Sequence, residues 1–176
     1  MLKLIKASNS KEYKDEILDM LNEWSDFNNV NNNANHSPMA IFSDYSDFDQ
    51  YIKHFLLQET NPIEGFVPAT TYFALDTERN KMVGAIQIRH YLNDALRNGG
   101  GHIGDGVRPS ERKKGYATEI IRLGLIEAKK LGIDNVLICC STTNIGSRKS
   151  ILNNGGVYEK TVTKDGEEFE TYWIQL

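Results

Sequence analysis

Twelve consecutive residues carry most of the chemistry in this sequence: Val107-Arg108-Pro109-Ser110-Glu111-Arg112-Lys113-Lys114-Gly115-Tyr116-Ala117-Thr118. Arg108 to Lys114 holds four cations and one anion, a net +3, inside a chain of net charge -4. A helical pattern opens at Tyr116. A helix start leaves backbone N–H groups free, and its dipole favours anions. Gly115 lets the backbone approach a ligand closely, and Ala117 is small enough to do the same. Arg112, Lys113 and Lys114 add positive charge. These residues form a candidate pyrophosphate cradle, built from amides and helped by cations. The same pattern also describes a solvated, basic helix start with a tight turn. The Gly-x-x-x-x-Gly-Lys-Ser/Thr loop of nucleoside-triphosphate binders is absent. Gly99, Gly101 and Gly104 match Gly-x-Gly-x-x-Gly formally. They precede a strand and open no helix, so the match reads as a glycine-rich turn.

The elements that must hold this segment follow from periodicity. Gly101 to Val107 reads as a strand, broken by Pro109 and Ser110. Tyr116 to Leu131 is a helix with Ala117, Ile120, Gly124, Ala128 and Leu131 on one face, ended by Gly132. Asp134 to Ser141 is a near-continuous apolar strand, as expected when both faces are covered. Asn144 caps a short helix that runs to Asn153 and closes at Gly155. Val157 to Thr163 and Phe169 to Leu176 are strands joined by Asp165-Gly166. Upstream, Leu2 to Ala7 is an edge strand. Glu12 to Trp24 is an amphipathic helix, Asn28 to Asn35 a loop with six Asn in eight residues, and Phe48 to Leu57 a second helix. Thr71 to Asp76 and Met82 to Arg89 are strands. The fold class is α/β: a mixed, mostly antiparallel central sheet of six to seven strands with helices on both faces, as one domain over residues 1–176.

Composition removes several function classes. With 20 Lys and Arg against 24 Asp and Glu, the chain lacks the basic excess of a nucleic-acid binder. No window approaches the ~20 apolar residues of a membrane span, so neither nucleic acid nor membrane is an expected partner. The two cysteines, Cys139 and Cys140, are adjacent and sit in an apolar run, which reads as reduced thiols on a core strand and a cytoplasmic location. No signal-peptide pattern opens the chain, so Asn35-His36-Ser37 is not read as a used glycosylation acceptor. His36, His54, His90 and His102 show no metal spacing, and no metal is expected.

Arg112-x-x-Gly115-x-Ala117, after a strand ending at Val107 and before an amphipathic helix, resembles the acyl-CoA-binding motif of the GNAT N-acetyltransferase superfamily, Arg/Gln-x-x-Gly-x-Gly/Ala. Asn144, Ser147 and Gly155 match the family's following helix, and the element order from Thr71 to Leu176 agrees. Ile88 to Asn93 and Gly101 to Gly104 resemble a bacterial subgroup of acetyltransferases with unassigned substrate. The resemblance implies direct acyl transfer from acetyl-CoA to a primary amine of a small molecule or peptide. Acetyl-CoA would lie in a gap between the strand ending at Val107 and the strand Val136 to Cys140. Amides of Arg112 to Thr118 would hold the pyrophosphate, with Arg108 in the same basic island. The backbone near Val107 would pair with pantetheine, and Asn144 would contact it. A homodimer is common in the family, although no interface is legible.

An amine titrating near pH ~10.4 must lose a proton before attack. His102 stands close to the family's usual Glu and suits a general base, or it only hydrogen-bonds within the sheet or binds substrate. Asp105 is a second candidate, on the opposite face of the strand. Arg89 and His90 either line the acceptor pocket or form a polar hairpin end. The clear departure is Ile151, where the family often has a Tyr that protonates the leaving thiolate. Ser147, one turn earlier, either hydrogen-bonds the sulfur or simply permits close packing. Phe42, Tyr45, Phe48, Tyr51 and Phe55 read as a core face, with a pocket wall as the alternative. Ile151 also motivates a second hypothesis: a catalytically idle acyl-CoA-binding sensor.

Overall fold

The computed structural model describes residues 1–31 and 37–176. Seven strands form one sheet: β1 (Leu2–Lys6), β2 (Ala69–Asp76), β3 (Lys81–Arg89), β4 (Ile103–Val107), β5 (Asn135–Ser141), β6 (Val157–Lys164) and β7 (Glu167–Gln175). Their order is β1-β2-β3-β4-β5-β7-β6. Only β4 and β5 run parallel. Five helices join them: α1 (Lys14–Asn31), α2 (Phe48–Thr60), α3 (Asp94–Arg97), α4 (Tyr116–Lys130) and α5 (Ile145–Asn153). The expected mixed, mostly antiparallel sheet with helices on both faces is the observed architecture.

Two cores sit on the two faces. On one, Ile86, Ile88, Ile103, Val136 and Ile138 pack against Ile120, Ile121, Leu125 and Ala128 of α4 and Ile151 of α5. On the other, Phe73, Met82 and Ala85 pack against Ile17, Met20, Leu21 and Trp24 of α1 and Phe48, Tyr51 and Phe55 of α2. The aromatic run therefore builds core, as its spacing of three and four dictates. Gly124 lets α4 lie close on the sheet: a Cβ there would stand 2.3 Å from Ile86 Cδ1.

Several boundaries differ from expectation. Residues 11–13 form a 3-10 turn, and α1 then runs to Asn31, past the expected stop at Trp24. Asn28 falls one turn after Trp24 and is buried with it, so the apolar stripe carries the helix into the Asn-rich segment. Residues 32–36 lie outside the described residues. Leu131 caps α4 and is 38% exposed rather than part of its buried face. β4 starts at Ile103, because Gly101 takes φ +67 and turns the chain. The single-turn α3, capped by Asn93, is too short to show a period. Asp165 and Gly166 both take positive φ, as a two-residue hairpin turn requires.

β4 and β5 share one register pair, Ile103 with Ile138. Beyond it β4 continues to Val107 and β5 to Ser141 with no ladder between them, so the sheet is split there. α4 starts beside the open end of that gap.

Candidate functional site

The segment after β4 is shaped to leave amides open. Lys113 takes φ 64 and Gly115 φ 85, the second as N-cap of α4 with no side chain to cap the helix. Alternating left-handed residues turn successive N–H groups toward one concavity. The amides of Lys113 to Thr118 donate to no protein acceptor among the described residues. A Cβ at Gly115 would meet nothing within 4 Å, so the open space continues above the backbone. These features fit the pyrophosphate of a CoA.

The loop is pinned from below. Arg79 bridges Asp76 and the buried Glu111, and Lys114 and Lys81 also pair with Glu111. The Arg79 guanidinium beside it, with both lysines, holds the Glu111 carboxyl down at about 2. The Tyr116 hydroxyl donates to Asp76 Oδ2 and accepts from Arg79 Nη2, each at 2.7 Å. Arg112 donates Nε to the Val107 carbonyl at 3.2 Å and stacks over Phe27 at 4.7 Å. Thr118 meets α5: its hydroxyl reaches Ser150, and its carbonyl accepts from Asn154 Nδ2.

Arg108 corrects one expectation. It is 4% exposed and turned toward α1, where it pairs with Asp19 and Glu23 and reaches the Met82 carbonyl. Two carboxylates neutralise it, so its side chain ties α1 to the end of β4 instead of facing the cradle. Glu111 likewise takes up Lys114. Arg112 and the exposed Lys113 carry the charge that remains.

The gap is furnished differently on its two faces. Strand alternation puts Asp105 with Ile103 on the α4 and α5 face. There both it and Ser147 act electrostatically on the Cys140 thiol. Burial pushes Asp105 up to about 7 and Cys140 up to about 11. Asp105 and Ser147 thus both bear electrostatically on Cys140, a residue whose apolar surroundings in the sequence gave no sign of it. Ile151, where an acid was missing, is fully buried in the core and does not face the gap. Asn144 spends its side-chain oxygen on the Ser147 amide at 3.0 Å, which caps α5 and leaves its NH2 group as donor. The Arg108 amide donates to Val83 across β3 at 2.8 Å, so alternation turns the Val107 amide toward the gap.

On the α1 and α2 face lie His102, Gly104, Gly106 and Arg89. His102 is 6% exposed, and its Nδ1 accepts the Leu137 amide at 2.9 Å. Its own amide donates to the Leu137 carbonyl at 2.7 Å. Burial, with Arg89 and Arg97 nearby, lowers the ring to about 4. That ring stitches β4 to β5 where the ladder ends. Its bonded nitrogen and low pKa do not suit a general base at neutral pH. His90 is bonded to Thr70 at 2.8 Å rather than joined to His102. Trp24 packs where a Cβ of Gly106 would stand. Trp24 Nε1 and Asn28 Oδ1 are buried without a hydrogen-bond partner among the described residues. Such atoms mark places where water or a ligand's polar atoms belong. No group of three or more potential metal ligands occurs among the described residues. No helix among them is long and apolar enough to cross a membrane.

Comparison with known proteins agrees with this geometry. The model of the acetyltransferase (GNAT) domain matches residues 15–157. No curated protein matches. Among solved structures, the Salmonella typhimurium acetyltransferase that modifies the N-terminal serine of ribosomal protein L7/L12 is 14% identical, with a TM-score of 0.65 over 99% of this chain and 95% of that one. A mutant spermidine/spermine N-acetyltransferase from Vibrio cholerae is 14% identical, with a TM-score of 0.57 over 99% and 93%. The Salmonella typhimurium protein yncA, solved with its cofactor acetyl-CoA, is 12% identical, with a TM-score of 0.63 over 100% and 93%.

Proposed function

The chain belongs to the GNAT acetyltransferase family, and from that premise we propose that it transfers an acetyl group from acetyl-CoA to a primary amine of a small molecule or peptide. The observation that carries the reading is the run of uncommitted amides from Lys113 to Thr118 beside the one split in the sheet. Amides of this cradle hold the pyrophosphate, with Arg112 and Lys113 as its cations. The pantetheine arm runs along β4 and pairs with the Val107 amide, and the Asn144 NH2 group steadies it. When bound, acetyl-CoA supplies the activated acyl group.

The reaction is direct. The amine lone pair attacks the thioester carbon, the C–S bond breaks, and CoA leaves as a thiolate. A backbone donor aimed at the developing oxyanion is worth most in a water-poor site. We assign the proton from the amine, passed by water through the split between β4 and β5, to Asp105 on the other face, whose carboxyl titrates near neutrality. His102 is a positioning residue that closes the sheet at the inner end of the gap. No tyrosine acid is needed, since a thiol of pKa ~8.5 is a tolerable leaving group. The Ser147 hydroxyl would donate a hydrogen bond to the departing sulfur.

Primary-amine acceptors are supported by the activities of the structural neighbours, one on a protein N-terminus and one on spermidine. The same proposal includes a cytoplasmic location, resting on two free cysteines, and a homodimer, which light scattering would check. The test is free-thiol release from acetyl-CoA against a panel of amines. Amine-dependent release supports transfer. Saturable CoA binding with no release for any amine would instead favour the idle sensor that Ile151 motivates.

A further inference from the structure

Arg89 stands apart from the arginines that hold the structure together. Arg79 pairs with Asp76 and Glu111, Arg108 with Asp19 and Glu23, Arg122 with Glu119, and Arg148 with Glu170. Arg89 is half-buried and has no carboxylate partner among the described residues. Its Nη1 donates to the carbonyls of Gly100 and Gly101, at 3.0 and 3.2 Å, and among the described residues Nε and Nη2 have no hydrogen-bond acceptor. One other half-buried arginine lacks a carboxylate, and it is Arg112 at the phosphate cradle. Leaving a guanidinium desolvated without a counter-charge is costly. Burial accordingly lowers the Arg89 pKa.

Its position gives that charge a use. Arg89 shares the α1 and α2 face with His102 and Gly104. A Cβ on Gly104 would stand 3.4 Å from Arg89 Nη2, so the guanidinium lies over bare backbone at the edge of the gap. Among the described residues no acidic side chain answers it there. Asp105 points to the opposite face, His102 is neutral, and burial keeps the nearby Cys139 thiol protonated, at about 12. Nε and Nη2 form the fork that receives a carboxylate through two parallel hydrogen bonds.

We propose that Arg89 binds a carboxylate of the acceptor, so that the preferred substrate is a small amino acid whose amine lies a few bonds from that carboxylate. The inference rests on the acetyltransferase reading above and narrows its substrate class. A polyamine or an amidated amine would leave Arg89 without a partner.

The experiment uses the CoA-saturated protein and the acetyl-CoA reaction. Amino acids, their carboxamides and the corresponding decarboxylated amines are compared by melting shift and by kcat/KM. At least one amino acid is expected to exceed its amide by about tenfold or more, the scale of one charge-assisted contact. Arg89→Gln should abolish that preference while CoA still raises the melting temperature. Arg89→Lys, which keeps the charge, should retain part of the preference and covers the case in which the Gln variant does not fold. Equal use of acids and amides by the wild type would overturn the proposal. An unchanged preference in Arg89→Gln would do the same and leave Arg89 as an anchor for the Gly99–Gly101 turn. Failure of CoA to stabilise the wild type would be a separate result, overturning the acetyltransferase reading itself and this inference with it.

Discussion

Gly115, the N-cap of α4, and Gly132, just past its C-cap Leu131, make a matched pair of perturbations. Their φ values are +85 and +80, and a Cβ at either meets nothing within 4 Å. Alanine at either site therefore carries the same left-handed strain, about 1–2 kcal/mol, and no clash. The lower entropy of the unfolded alanine chain offsets about 0.4–1 kcal/mol of it. Each variant should lose about 1 kcal/mol net, roughly 2–4 °C in melting temperature for a domain of this size. Only Gly115 lies among the open amides. A methyl group there stands where the pyrophosphate must approach the backbone. Each tenfold loss of affinity removes about 1.4 kcal/mol of ligand stabilisation at saturating CoA. Melting curves with and without CoA are the assay. Gly132→Ala should keep the full CoA-induced rise, Gly115→Ala should lose most of it, and Gly115→Glu, which adds a negative charge, should lose all of it. Equal CoA-induced rises in the two alanine variants would refute the assignment of the cradle to Gly115.

Four further outcomes follow from the same contacts. Arg108→Ala should cost about 2–3 kcal/mol in denaturant melts, below a fully buried pair because Asp19 is 65% exposed. CoA should still stabilise that variant, since the side chain faces α1. Glu111 sits at about 2 when folded against an ordinary 4.5. Its contribution is therefore full above pH 4.5 and lost as pH falls toward 2, and Glu111→Gln should flatten that part of a melting-temperature profile. Asp105 sits at about 7, so its basic form, and with it kcat/KM, should rise through neutrality. Asp105→Asn should remove that rise and about 10²-fold of the rate. It should also melt higher than the wild type at pH 8, where the wild type carries a buried charge. His102→Gln should keep the pH profile and lose stability. A pH profile that moves with His102 and not with Asp105 would reverse the two roles.

The elements around the cradle were legible because short-range rules govern them. The 3.6 period marks α4, Gly132 and Gly155 take the positive φ expected at helix ends, and Asn144 caps α5 through the Ser147 amide. Side-chain direction at the site was less legible. Arg108 and Arg112 look alike in a basic run, yet carboxylates of α1, remote in sequence, turn Arg108 away. His102 has the right residue type for a base, but the end of the β4–β5 ladder takes its Nδ1. Alternation did separate Asp105 from His102 in advance. Nothing local could reveal that Asp105 and Ser147 both bear on Cys140, or that Arg89 has no carboxylate partner among the described residues, because both depend on which strands become neighbours.

The proposed transfer is direct: acetyl-CoA and amine are bound together and the chain forms no acyl intermediate. Initial velocities of thiol release, with acetyl-CoA and the best amine both varied, test it most directly. Direct transfer gives intersecting double-reciprocal lines, with no acetyl mass retained on the protein when the amine is withheld. Parallel lines with an acetylated protein, at Cys140 for example, would contradict it.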